Sequence, residues 1–372
     1  MDKTEVKHQS KVIEWLRFAL AALVVFMHAP VIGVENYSEN IYSGGVLPIL
    51  MILIKRGIGS VAVPTFFFIS GYLFFVKLEH WSWDVFAQKI KKRIGSVFIP
   101  YILWNMLTAA FFMLMLFASK HSIESVWNFC SERGWGLMLW NNGRFGESIT
   151  FVTNIFGVPM HNAAPIDGPL WFVRDLLVCF IFAPLIFKFL NKYVLSVLFV
   201  LLVLNVWIPI EGFSIISVFF FSWGGYFSRK RICFVEEFNK WKSHSYVICT
   251  ALLIGILFSF GNCDFAYKIL WPLFTVWGVV ATISIASHLL RKKIVSVHKN
   301  LSSSSFFLFA SHFMLINYMA YAINCLCPVN SMFLQTLKYL ATPFILIIVL
   351  EICYFAMKRY FPRPLSYLTG GR

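Results

Sequence analysis

The sequence predicts an all-α, polytopic membrane protein with about ten transmembrane helices and both termini on the cytoplasmic side. Three observations predict it. Of the 372 residues, 59% are hydrophobic and only 13% charged, more apolar surface than a water-soluble domain carries. Apolar runs of about twenty residues, the length of one bilayer crossing, recur along the chain. The basic residues gather in alternate connections, as cytoplasmic loops do. The net charge of +15 therefore reads as topology, and no nucleic-acid partner is expected. There is no Gly-rich phosphate loop, dinucleotide fingerprint, HExxH or GxSxG. The eight cysteines show no CxxC or Cys/His spacing, so they are read as packing residues and no metal site is expected.

A polar, basic start (Lys3, Lys7, Lys11) precedes the first span, about 12–32. It resembles an export leader, but Arg17 interrupts it and no small-x-small cleavage site follows, so it is expected to be retained. A polar link with Glu35, Glu39 and Gly44-Gly45 leads to the second span, about 57–76, which contains Pro64 and Gly71. Residues 77–93 are amphipathic and basic, ending in Lys89, Lys91, Lys92 and Arg93, and the third span covers about 94–118. The stretch 119–168, with Trp127, Trp135, Trp140, Arg144 and His161, is expected outside the cytoplasm. Further spans fall near 169–187, 194–210, 213–228, 245–261, 267–289, 302–325 and 333–357, with 194–228 alternatively re-entrant. No internal repeat or appended soluble domain is visible, and residues 1–372 read as one membrane domain.

Within this apolar frame a few polar groups stand out. Arg17 and His28 lie eleven residues apart in the first span, which returns them to within ~20° on one helix face, ~16 Å apart along the axis. Polar groups in a span are costly unless they face a protein interior or a wet cavity. Arginine grips phosphate and histidine serves as a base near neutral pH, although a snorkelling cation and a hydrogen-bonded core histidine would use the same residues. In the second span Ser70-Gly71 lets another backbone or a ligand come close. Lys92 and Arg93 open the third span as membrane anchors or as a phosphate patch. Trp171, Arg174 and Asp175 enter the fourth span as an ion pair or as part of a site, and His312 is a second intramembrane histidine. Glu351 is a weaker candidate.

Taken in order, these features resemble the acyltransferase 3 family of integral membrane acyltransferases. The resemblance rests on Arg17-x10-His28, on Pro64-x-Phe66-Phe67-Phe68-Ile69-Ser70-Gly71-Tyr72-Leu73-Phe74, on the basic run ending in Arg93 with Pro100 beyond it, on Leu170-Trp171-Phe172, and on the late His312. It implies a bacterial inner-membrane enzyme that O-acylates, most often O-acetylates, an envelope carbohydrate or lipid-linked sugar with acetyl-coenzyme A as donor. His28, Asp175 and His312 are then the expected catalytic group. Arg17, Lys92, Arg93 and Ser70 are expected to hold the donor, and Trp171 and Arg174 the acceptor. The acceptor's identity, acetyl against succinyl, and direct transfer against an acyl-histidine intermediate stay open. So does a carrier: a proton-coupled transporter or flippase would use the same polar cavity, though such carriers often show repeats.

Overall fold

The computed structural model describes residues 2–32, 45–76, 78, 80–133, 139–140, 164–192, 194–207, 213–328 and 331–371. Trp135, Arg144 and His161, and with them most of the expected outer stretch, lie outside the described residues. Among those described, the regular structure is helical. The chain divides into two compact units, one made of 1–79 and 220–352 and the other of 80–219 and 353–372.

The first unit is built on α1 (Lys3–Met27). Its buried residues Val12, Leu16, Leu20 and Val24 recur every fourth position, one stripe of a 3.6-residue helix. That stripe packs chiefly against α12 (Lys299–Leu326) and also against α11 (Asp264–Arg291) and α2 (Val46–Phe75). Polar side chains fix the basic end of α1: Gln9 donates to the Tyr72 hydroxyl at 2.7 Å, and His8 Nε2 lies 2.9 Å from Ser287 Oγ. Pro30, which lacks an amide hydrogen, follows its other end.

α2 is continuous but irregular, with a π turn at Leu53–Gly57 and a 3₁₀ turn at Ile58–Val61. Its regular part crosses α8 (Ile215–Arg229) at two glycines. A Cβ on Gly71 would sit 1.9 Å from the Phe221 carbonyl oxygen, and one on Gly224 1.9 Å from that of Phe68. Small residues thus bring two backbones together, and Gly71 serves a backbone here. Around the crossing, Phe68 packs edge-on against Trp223, Phe227 and Phe234. The short α9 (Phe234–Lys240), α10 (Lys242–Ser259) and α13 (Met332–Tyr360, as far as residue 352) complete the unit.

The second unit is organised on α3 (Trp83–Lys120), which carries a π turn at Ile94–Phe98. Its buried face is Tyr101, Trp104, Asn105, Thr108 and Ala109. Trp104 Nε1 donates to Leu368 O of the terminal α14 (Pro362–Thr369) at 2.9 Å. Gly370, at φ +67, ends α14 in the left-handed region, where a Cβ would also meet Ser96 O at 2.3 Å. α4 (Ile123–Arg133), α5 (Trp171–Ile181), α6 (Ala183–Lys192) and α7 (Val194–Trp207) lie in this unit.

Among the described residues, nine of the ten expected spans lie on a single helix, but they are not equal. Among the described residues, six helices are long and apolar enough to cross a membrane in one piece: α2, α3, α10, α11, α12 and α13. The expected span at 169–187 is instead two helices, bent by 66°. Pro184 has no amide hydrogen to continue the first helix, so the chain turns at Phe182 and restarts. α1 spans 25 residues but carries Lys11, Glu14 and Arg17, and α7 and α8 are short.

Candidate active site

The structure places His28 at the end of α1 beside His312 of α12, with ring centroids 5.1 Å apart. Carbonyl oxygens only accept, so the hydrogens can be assigned. His312 Nδ1–H donates to Phe309 O at 2.7 Å, and His28 Nδ1–H donates to Val24 O at 2.9 Å. The Nε2 atom of His312 is then a bare acceptor. It stands 3.4 Å from His28 Nδ1, the more distant of two acceptors beside that N–H. His28 Nε2 is left with its lone pair and no hydrogen-bond partner among the described residues.

Burial separates the two rings. His312 is 0% exposed and flanked by Phe309, whereas His28 is half-buried and meets Phe313 edge-on. His28 can therefore meet a substrate, and His312 can hold His28 in one tautomer. The arrangement suits proton transfer at His28 Nε2, or nucleophilic attack by that atom.

Arg17 is exposed beside the buried Leu16 and Leu20, and it has no ion-pair or hydrogen-bond partner among the described residues. Ser70 is half-buried on α2. The structure thus gathers His28 and His312 closely, with Arg17 and Ser70 in the same unit.

The other expected residues belong to the second unit. Arg174 and Asp175 are both buried. Arg174 Nε and Nη2 donate to Asp175 Oδ1 at 3.0 and 2.8 Å, and Nη1 donates to Trp140 O at 2.7 Å. The guanidinium also covers the Trp140 ring at 5.2 Å. Asp175 Oδ2 accepts the Ser214 N–H at 2.9 Å, immediately before α8. This is a structural knot that ties α5 to residues 140 and 214. Trp171 is half-buried on the same helix. At the start of the third expected span, Arg93 lies over Phe180 at 5.3 Å while Lys92 is exposed.

Asn105, Thr108 and Asp167 form a polar cluster that the sequence reading passed over. Asn105 Oδ1 accepts the Asp167 N–H at 3.1 Å, and Thr108 Oγ1 donates to Asp167 Oδ2 at 3.2 Å. Asp167 is fully buried, and burial pushes its carboxyl well above the ordinary carboxylate range, with the Thr108 hydrogen bond opposing. The signal lay in two polar residues three apart inside an apolar run.

A family model described as an acyltransferase domain matches residues 11–357. The chain is 23% identical over 370 residues to the succinoglycan biosynthesis protein ExoH of Rhizobium meliloti (strain 1021), covering 97% of this chain and 92% of that protein. No solved structure matches.

Proposed function

The chain belongs to the acyltransferase 3 family, and from that premise we propose that it moves an acyl group, acetyl first among candidates, from cytosolic acyl-coenzyme A to a hydroxyl of an envelope polysaccharide or lipid-linked sugar. In this reading the protein crosses a bacterial inner membrane ten times, with both termini in the cytoplasm. The observation that carries it is the tautomer-fixed His28–His312 pair at one end of α1, with the exposed, unpaired Arg17 three turns away.

The residues divide the work as follows. In the first unit Arg17 meets the donor's phosphates and Ser70 lies beside the donor, and in the second unit Lys92 and Arg93 are cations able to hold phosphate. His28 Nε2 takes the proton of the acceptor hydroxyl as that oxygen attacks the thioester carbonyl. The carbon–sulfur bond breaks, a carbon–oxygen ester forms, and the imidazolium returns its proton to the leaving thiolate. His312 Nε2 accepts the His28 Nδ1–H throughout and so stabilises the imidazolium. In the second unit Asp175 acts by holding Arg174 and Trp140, with Trp171 on the same helix as the group that would meet the acceptor. A relative named for succinoglycan biosynthesis supports a polysaccharide acceptor.

The test uses the purified protein in detergent with labelled acetyl- and succinyl-coenzyme A, and alkali-deacylated succinoglycan oligosaccharides as the acceptor probe. Saturable donor binding, weakened about tenfold or more by Arg17→Ala, and ester label on the oligosaccharide are expected. His28→Ala should lower turnover roughly 10²–10⁴-fold. A folded wild type that binds neither donor would overturn the reading, and donor-independent sugar flux in liposomes would replace it with a carrier.

A further inference from the structure

Arg17 is the inner end of a stripe of cations. On α1 the side chains of Lys3, Lys7, Lys11 and Arg17 are exposed, and no residue from Phe18 to Met27 is. At 100° per residue Lys3, Lys7 and Lys11 lie at ~0°, ~40° and ~80° round the helix and Arg17 at ~−40°, one arc of ~120°. His28 falls within that arc, at ~−20°. None of the four cationic side chains has a hydrogen-bond or ion-pair partner among the described residues. Glu14, half-buried between Lys11 and Arg17, is the one acid of α1 on the arc, so the stripe stays strongly positive. Like charges four residues apart destabilise a helix, and the stripe is therefore held at a cost that an anion would remove.

Phosphate is the chemistry that fits, from the donor or from lipid headgroups, and the spacing favours the donor. Between the diphosphate and the sulfur of coenzyme A runs a pantetheine arm of about thirteen bonds, ~16 Å when extended. The rise from Arg17 to His28 is also ~16 Å. In the other direction the nucleotide's 3′-phosphate is about six bonds, ~7 Å, from the diphosphate. Lys11 lies ~9 Å along the axis from Arg17, with Lys7 one turn beyond it. An ordinary lipid headgroup offers one phosphate, not two at this separation. In the proposed topology the Lys3 end of α1 is also the cytoplasmic one, where coenzyme A thioesters are made.

We propose that Lys11 and Lys7 form the subsite for the 3′-phosphate of the donor's nucleotide, with Arg17 on the diphosphate, so that the stripe selects coenzyme A thioesters over thioesters lacking that phosphate. The proposal rests on the acyl-transfer reading above and adds which part of the donor is recognised, and where.

The experiment titrates the purified full-length protein in detergent with acetyl-coenzyme A and with acetyl-dephospho-coenzyme A, which lacks only the 3′-phosphate. Wild type should bind the first about tenfold tighter, the worth of one charge-assisted contact. Lys7→Gln combined with Lys11→Gln should abolish that preference and leave the affinity for the dephospho donor within about twofold of wild type. Arg17→Ala should instead weaken both donors alike. Equal wild-type affinity for the two donors would overturn the subsite, and so would a preference that survives in the lysine double variant. Repeating the titrations in nanodiscs, with and without phosphatidylglycerol, separates the two sources of phosphate. A lysine double variant that loses only its response to phosphatidylglycerol, with donor preference intact, would assign the stripe to lipid and end the proposal. A wild type that binds neither donor would sink the underlying acyl-transfer reading.

Discussion

The Nε2 atom of His312 stands 3.4 Å from the Nδ1 atom of His28, whose nearer acceptor is Val24 O at 2.9 Å, and unequal burial sets the two similar histidines apart. His28 keeps a bare Nε2 at a half-buried position, while the fully buried His312 can act only through it. His312→Leu should therefore lower kcat about 10–100-fold and leave donor affinity unchanged. His312→Gln, whose amide oxygen can still accept the His28 hydrogen, should restore much of the loss. Steady-state kinetics with donor titration checks this, and equal activity in the Leu variant would remove His312 from the mechanism.

Gly71 and Gly224 each leave room for the other helix's carbonyl. Alanine at either should destabilise by about 1–3 kcal/mol as the helices are forced apart. Gly95→Ala is the control, since nothing lies within 4 Å of the added carbon. Thermal unfolding in detergent should separate the first two from the third.

Asp175 neutralises Arg174 in a setting where both are almost fully covered. Asp175→Leu should cost about 3–5 kcal/mol, because it strands a buried guanidinium. The double substitution Arg174→Met with Asp175→Leu should cost less than that single one. A double-mutant cycle on unfolding free energies reads the coupling, and simple additivity would mean that the pair contributes nothing as a pair.

His8 predicts a pH dependence at the basic end of α1. Burial lowers its pKa below the ordinary 6.5, and the Arg291 guanidinium and Lys11 add to this while Glu236 opposes. The folded state thus holds His8 neutral, between Ser287 Oγ and the Arg291 Nε–H. With the folded pKa below the unfolded one, its stabilisation is present above pH 6.5 and is lost as pH falls towards the folded value. Unfolding followed from pH 8 to pH 5 should show this decline, and His8→Gln should flatten it.

Much of this was legible from residue type and spacing. Nine of the ten expected spans lie on a single helix among the described residues, because apolar length and a 3.6-residue pattern are local properties. The pairing of His28 with His312 was not readable, since 284 residues separate them and only packing of α1 on α12 brings them together. The bend between α5 and α6 coincides with Pro184, which the reading of 169–187 as one span did not use. Asn105 and Thr108 sat in plain view within a span, but their purpose depends on Asp167, which lies in another element.

The π turn at Ile94–Phe98 has a consequence for how α3 can change. At 38 residues the helix is about 57 Å long, nearly twice the ~30 Å of a hydrocarbon core. Its basic first part therefore has to run well beyond the apolar layer. The wider turn accommodates one additional residue, which offsets the two parts by about 100° about their common axis. Losing or gaining one residue here would act as a rotation rather than a shortening. The angle between the charged surface of Lys89–Arg93 and the inward surface of Tyr101–Thr108 is thus a variable that a single codon can adjust, with neither surface rewritten.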